Sequence, residues 1–385
     1  MTTPLSILDL APVKSVAGLS PKEATGNTAA KAIRETIDLA VRAEAAGYHR
    51  YWLAEHHFTP GVASSSPAVL IALVAAATQR IRVGSGAVQL GHQTAIAVVE
   101  QFGTIDALHP GRIDLGLGRS GQRRAEAVKE LNTAAPPKEE AFRTDNGLLI
   151  PAPFSFSKLL ASPKFALYAS LLQQPGAESP DFADQVDDII ALLAGTYVSA
   201  DGLDAHAVPG EGADLDLWIL GSSGGQSAQV AGERGLPFAA NYHVAPSAVL
   251  EAVEAYRAAF KPSARLDKPH VLVSADVVVA ATDSTAAELA APYGLWVRSI
   301  RTGHGAIPFP SAVEAAAHEW TDDDRQLVAD RVDTQFVGTP DRVADQLRVL
   351  RDATDADELL VTTITHDHTD RVRSFDLLAE EWVTS

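Results

Sequence analysis

The sequence predicts an α/β protein, a (β/α)8 TIM barrel carrying two insertions. Three observations predict it. Short β-rich runs alternate with amphipathic helical runs four times in the first third of the chain, which implies a parallel sheet with helical crossovers. The alternation breaks after the fourth strand and after the seventh but resumes each time, so that eight strands can be counted. No GxGxxG follows the first strand, against the rival reading of a doubly wound open sheet.

Leu5–Leu10 reads as the first strand, and Ala29–Ala46 as a helix stopped by Gly47. His49–Ala54 is the second strand, Pro67–Thr78 the next helix, and Ile81–Gln89 the third strand. Ala95–Leu108 is helical and closes on the turn His109-Pro110-Gly111. Arg112–Leu117 is strand four. Gly121–Pro180, rich in Pro, Ala and charge, reads as an excursion with short helices at Arg124–Asn132 and Pro163–Leu172. Regularity returns with a helix at Phe182–Leu193, strand five at Asp216–Gly221, and a helix at Gln226–Arg234. Strand six is Leu236–Asn241, followed by a helix at Pro246–Phe260 and strand seven at His270–Ala281. A second excursion covers Thr282–Gly338. Helix Thr339–Asp352, strand eight at Glu358–Thr363 and a last helix at Asp367–Glu381 finish the pattern. Residues 1–385 are thus expected to form one barrel domain, with insertions at about 121–180 and 282–338.

Composition narrows the function. The formal net charge of −18 repels phosphate backbones and argues against a nucleic-acid partner. No apolar run is long enough to cross a membrane. The start, MTTPLSILDLAPV, has no basic segment and no cleavage pattern, so no secretion signal is expected. The absence of cysteine excludes disulfides, thiolate metal sites and cysteine nucleophiles. These features fit a cytoplasmic protein. Helices Pro67–Thr78 and Ala95–Leu108 are apolar or small around nearly their whole circumference, which predicts a homodimer.

Side chains at the C-terminal ends of barrel strands face the active site, and four such ends are informative. Glu55-His56-His57-Phe58 follows strand two; imidazoles there can shuttle protons or bind metal. His92, His109 and His243 lack ligand spacing, so no metal site is expected. Glu55 and His57 read as hydrogen-bonded supports and His56 as the functional group. Gly84-Ser85-Gly86-Ala87, closing strand three, lets a flat ligand approach the backbone or merely packs the barrel. Arg119, just past strand four, can fork onto a phosphate or carboxylate, or be an ordinary surface arginine. Ser222, Ser223, Gly224, Gly225 and Ser227 form a small-residue loop opening a helix. Such a loop offers N–H groups and a positive dipole end to a phosphate, or serves as a cap.

Taken in order, these segments resemble the bacterial luciferase-like flavin monooxygenases. The resemblance runs through Tyr51–Phe58, Ile81–Leu90, Val99–Ser120 and Leu217–Pro237, and recurs near Phe336-Val337-Gly338-Thr339-Pro340. It implies a catalytic role for His56 as acid/base or stabiliser beside the flavin. It also implies a non-prolyl cis peptide at Gly86-Ala87 behind the ring, and flavin-phosphate binding by Arg119 and the loop Ser222 to Ser227. Gly118 stands where luciferase has a cysteine, and Gly91-His92 replaces part of a proline-containing segment, so long-chain aldehyde oxidation with light emission is not implied. The implied activity is oxidation of a small organic substrate with O2 and reduced FMN supplied by a separate reductase, since no nicotinamide-binding motif is visible. The alternatives are hydride transfer with a deazaflavin coenzyme on the same fold, and non-catalytic flavin binding. Substrate choice should lie in the two insertions, where the resemblance fades.

Overall fold

A computed structural model describes residues 3–16, 25–119 and 140–384. The first part runs β1 (Leu5–Asp9), α1 (Thr25–Ala46), β2 (Arg50–Leu53), α2 (Pro67–Ala77), β3 (Arg82–Ser85), β4 (Val88–Gln89), α3 (Ala95–Leu108) and β5 (Ile113–Gly118). The first insertion contributes a small hairpin, β6 (Phe142–Arg143) and β7 (Leu149–Ile150), then α4 (Ser157–Leu160) and α5 (Pro163–Leu172). The barrel resumes with α6 (Phe182–Leu193), β8 (Asp216–Gly221), α7 (Gln226–Glu233), β9 (Phe238–Asn241), α8 (Val249–Ala259) and β10 (Val271–Val279). The second insertion holds α9 (Asp283–Ala290), α10 (Pro292–Arg301), α11 (Ala312–Ala316), α12 (Asp322–Val332) and β11 (Phe336–Gly338). The chain finishes with α13 (Pro340–Thr354), β12 (Glu358–Thr362) and α14 (His368–Thr384).

Eight parallel strands close a ring in the order β1, β2, β3, β5, β8, β9, β10, β12, because β12 pairs with both β10 and β1. The predicted barrel is therefore the observed fold. Alternation along the strands separates two apolar layers. On β10, Val271, Val273, Ala275, Val277 and Val279 pack outward against the helices. Leu272 joins Trp52, Trp218 and Leu360 inside the ring, and Ser274 and Asp276 share its parity.

The floor of the barrel is ionic. Arg50 reaches Asp114 at 2.8 Å and Glu358 at 3.1 Å, and Arg82 reaches Asp114 at 2.7 Å. Asp114 also accepts from Trp52 Nε1 at 2.8 Å. Gly84 makes room for this arrangement: a Cβ there would lie 2.5 Å from Asp114 Cβ. The charges are buried but mutually satisfied, so the floor is closed and the open end of the ring lies at the strand C-termini.

Two sequence expectations need correction. The third strand is not continuous over Ile81–Gln89: β3 and β4 are separated by the Gly86–Ala87 peptide, which is cis. The second excursion, for which the sequence reading gives no elements, is mostly helical, and its last piece, β11, pairs with β10 outside the ring. Strand seven is shorter than expected and ends at Val279. The helix expected at Arg124–Asn132 lies outside the described residues.

Candidate active site

A cavity of about 1530 Å³ opens at the C-terminal ends of the strands. His56, Gly86, Ala87, Arg119, Ser222, Ser223, Gly225 and Ser227 all line it. Gly224 does not: its α-carbon faces Glu251 and Ala255, where a Cβ would come within 2.7 Å of Glu251 Oε1. Of the expected loop, only that glycine turns toward the helical shell.

Strand pairing explains the convergence. In the β5–β8 register Gly118 faces Leu220, which sets Arg119 beside Gly221 and Ser222. Gly225 caps α7, and Ser223 Oγ accepts from the Gly225 N–H at 3.4 Å. The Gln226 amide is held by Asp181 at 2.9 Å, which braces the first turn of α7. A guanidinium, three hydroxyls and the start of a helix thus gather in one corner of the mouth. That donor set suits a phosphate.

His56 continues the inward parity of Trp52 and Ala54 and presents its ring to the cavity. Its backbone N–H donates to Ser64 O at 2.8 Å, which fixes the turn behind it. Its side chain is exposed at the cavity mouth, and desolvation by the surrounding walls lowers its pKa below the ordinary 6.5; Glu55 opposes the shift and His57 adds to it. Glu55 points the other way and is buried. Its Oε1 accepts from His57 Nε2 and from His92 Nε2, both at 2.8 Å, and its Oε2 from the Gln89 N–H at 2.9 Å. Burial alone would raise this carboxyl, but the hydrogen bonds from His57, His92 and Gln89 outweigh it and bring it down to about 2. His92 is therefore not an isolated histidine, contrary to the reading from spacing. The three ligand atoms lie within 4.8 Å of one another, close enough to receive an ion, but the hydrogen bonds already account for their placement.

Sequence reasoning missed the far wall. There, Asp276 accepts from the Tyr293 hydroxyl and from Arg331 Nη2 at 3.3 Å. Burial raises the Asp276 carboxyl, and Arg331 and Tyr293 reverse only part of that shift. His243 Nδ1 is 2.6 Å from Ser274 Oγ. Burial, followed by repulsion from Arg331 and His56, pushes this imidazole down to about 3, so it is neutral. The legible signal was the pair Ser274 and Asp276, polar residues at alternate positions of the apolar run Val271–Val279. Tyr293 and Arg331 lie in the second insertion and carried no motif. That insertion also supplies Trp296 and Ile300, while the first supplies Phe154 and Phe156. Both insertions therefore wall the cavity.

The luciferase-like monooxygenase family model matches residues 15–141 and 176–357, and the chain belongs to that family. It is similar to the uncharacterized protein YvbT of Bacillus subtilis (strain 168), at 36% identity over 384 residues, covering 99% of this chain and 97% of that one. A luciferase-like monooxygenase of Escherichia coli (strain K12) is 33% identical over 377 residues, covering 98% and 96%. Among solved structures, apo-MsnO8 is 32% identical with a TM-score of 0.75, covering 100% of this chain and 98% of that one.

Proposed function

We propose that the chain is the oxygenase of a two-component flavin system, binding reduced FMN made by a separate reductase and using O2 to oxidise a small organic substrate. The observation that carries this reading is the convergence of His56, Gly86-Ala87, Arg119 and the Ser222–Ser227 loop on one cavity. Its volume of about 1530 Å³ exceeds the roughly 300–1,000 Å³ of a pocket for one small ligand, which leaves room for coenzyme and substrate together.

The chain's residues fit the coenzyme. Arg119, Ser222, Ser223 and Ser227 would hold the phosphate, and Gly86, Ala87 and Gly118 leave a flat wall for the ring, since a Cβ at Gly118 would crowd Ala87 Cβ at 3.2 Å. When bound, reduced FMN supplies the electrons that activate oxygen. His56 takes up a proton at its neutral imidazole beside the reacting centre. Phe154, Phe156, Trp296 and Ile300 exclude water from that centre.

The test is anaerobic titration with reduced FMN and, separately, with reduced deazaflavin coenzyme, followed by admission of oxygen. FMN binding, with oxygen uptake coupled to a singly oxygenated product, is the expected outcome. Binding of the deazaflavin alone would indicate hydride transfer. FMN binding without substrate turnover, across a panel of candidate substrates, would indicate a flavin store.

Two copies of the chain are further inferred to pair through α2 and α3. Val69, Leu73 and Leu108 on these helices are 58%, 46% and 75% exposed. Apolar side chains exposed on adjacent helices call for a second cover.

A further inference from the structure

We propose that the cavity wall at β10 and β12 is a carboxylate-binding subsite, so that the substrate is a small organic acid with an apolar body. This rests on the oxygenase reading above and names the substrate class for it.

The starting observation is a hydroxyl. Thr362 is 1% exposed, lines the cavity, and its Oγ1 has no hydrogen-bond partner among the described residues. Buried hydroxyls are normally paired, and an orphan is destabilising unless something else occupies it. In the β10–β12 register Thr362 faces Asp276 directly. Asp276 in turn holds Arg331, whose Nε and Nη2 are engaged by the Tyr293 hydroxyl at 3.1 and 2.5 Å and by Asp276. No hydrogen bond joins Nη1 of Arg331 to any described residue, and Arg331 lines the cavity although it is 7% exposed. The guanidinium therefore turns one edge to Asp276 and keeps another for a ligand.

The chemistry of that arrangement selects the ligand. Arg331 and Thr362 both adjoin Asp276 on the cavity wall; a guanidinium edge and, once its side chain turns into the cavity, the Thr362 hydroxyl match the two oxygens of a carboxylate. Asp276 neutralises Arg331 when no acid is bound, so a buried cation is never left alone. The same carboxylate disfavours a doubly charged phosphate, which has its own corner at Arg119. Around the polar group, Leu272, Leu360, Ile364, Trp296 and Ile300 are apolar and suit a hydrocarbon body.

Ring order places the subsite productively. In the eight-strand ring β12 lies opposite β5, the strand that carries Arg119, and β2, which carries His56, lies midway between them. An acid anchored at Thr362 and Arg331 would extend its body toward the His56 region, away from the phosphate corner.

The test is calorimetric titration of the protein, FMN-loaded and FMN-free, with hexanoate and with hexanamide, which share shape but not charge. Hexanoate is expected to bind at least about tenfold tighter, the worth of one charge-assisted pair. Thr362→Val should weaken hexanoate by about three- to tenfold without lowering Tm, because the hydroxyl it removes supports nothing in the protein. Arg331→Gln should abolish the preference for the acid. Should that variant not fold, Thr362→Val decides, since its shape is conserved. Equal affinity for acid and amide, no heat with hexanoate at millimolar concentration, or an unchanged hexanoate affinity in Thr362→Val overturns the proposal. Failure to bind FMN in the control titration overturns the oxygenase reading instead, and the FMN-free titration still reads the subsite.

Discussion

His92 Nε2 stands 2.8 Å from Glu55 Oε1, the same oxygen that His57 Nε2 reaches at 2.8 Å. One imidazole comes from the turn after β4 and the other from the loop after β2, so a single buried carboxylate ties two strand ends together behind the cavity wall. His57 is on the scaffold side of this knot and His56 on the cavity side. His57→Ala should therefore lower stability by about 1–3 kcal/mol, the worth of one hydrogen bond to a buried carboxylate that His92 and the Gln89 N–H still hold. Its turnover should stay within a few-fold of the parent. Urea unfolding alongside an activity assay checks both; full stability with lost turnover would place His57 in the chemistry.

The same knot sets an acid limit. The Glu55 carboxyl is lowered from 4.5 to about 2 on folding. A depressed carboxyl contributes stability that is present above its unfolded pKa and is lost as pH falls toward the folded one. Glu55 thus contributes to a decline in stability between about pH 4.5 and 2. Glu55→Gln should be less stable near neutral pH and show a shallower loss across that window. Unfolding free energies at several pH values measure this, and parallel curves for parent and variant would contradict it.

The strand ends were readable because their chemistry is local. A strand that stops at Glu55-His56-His57, or at Gly221-Ser222-Ser223, announces a barrel mouth by its polar and small residues alone. Arg119 was readable for the same reason. The far wall was not, because Asp276, Tyr293 and Arg331 meet from β10, α10 and α12, and nothing in the spacing of the second insertion foretells that meeting. Thr362 was invisible for a subtler reason. Its significance lies in a missing partner, and only the assembled ring shows which polar atoms remain unpaired. The cis peptide at Gly86-Ala87 was implied by the family resemblance and is present, but the break it makes between β3 and β4 was not legible in the residue pattern itself, because Gly86 and Ala87 fit an apolar strand as well as they fit a turn.

Arg119 sits beside Gly221 and Ser222 at the corner proposed to hold the flavin phosphate. Arg119→Ala should weaken FMN by roughly ten- to a hundredfold, equivalent to about 1.5–3 kcal/mol for a charge-assisted bond. Riboflavin, which lacks the phosphate, should bind the variant nearly as well as it binds the parent. Fluorescence titration with both ligands tests this. An equal loss for both would assign Arg119 to the ring or the fold.

Leu73 and Leu108 expose apolar surface on neighbouring helices. If α2 and α3 form the contact between two copies, Leu73→Glu should yield a folded monomer, since a buried charge without a partner is strongly unfavourable in an apolar interface. Sedimentation velocity at low micromolar concentration separates the outcomes. A parent protein that sediments as a monomer would rule the pairing out.

His56 is the residue on which the proposed chemistry turns. It extends the inward parity of β2, lies midway round the ring between the phosphate corner and the far wall, and faces His243 closely enough to depress that imidazole's pKa. Desolvation by the cavity walls lowers the His56 pKa below 6.5, so the neutral, proton-accepting form prevails at pH 7. A general base of this kind gives kcat/KM that rises with pH to a plateau, and the rise reports its own titration. His56→Ala should retain the fold and FMN affinity while turnover drops by about 10²–10⁴-fold, the usual range for lost acid–base assistance. The variant should also lose the acid limb of the profile, a readout that mere damage to the wall would not produce. Steady-state rates from pH 5 to 9 on parent and variant decide it. Normal turnover by His56→Ala, or an acid limb that survives the substitution, would remove His56 from the mechanism and shift attention to His243 across the cavity.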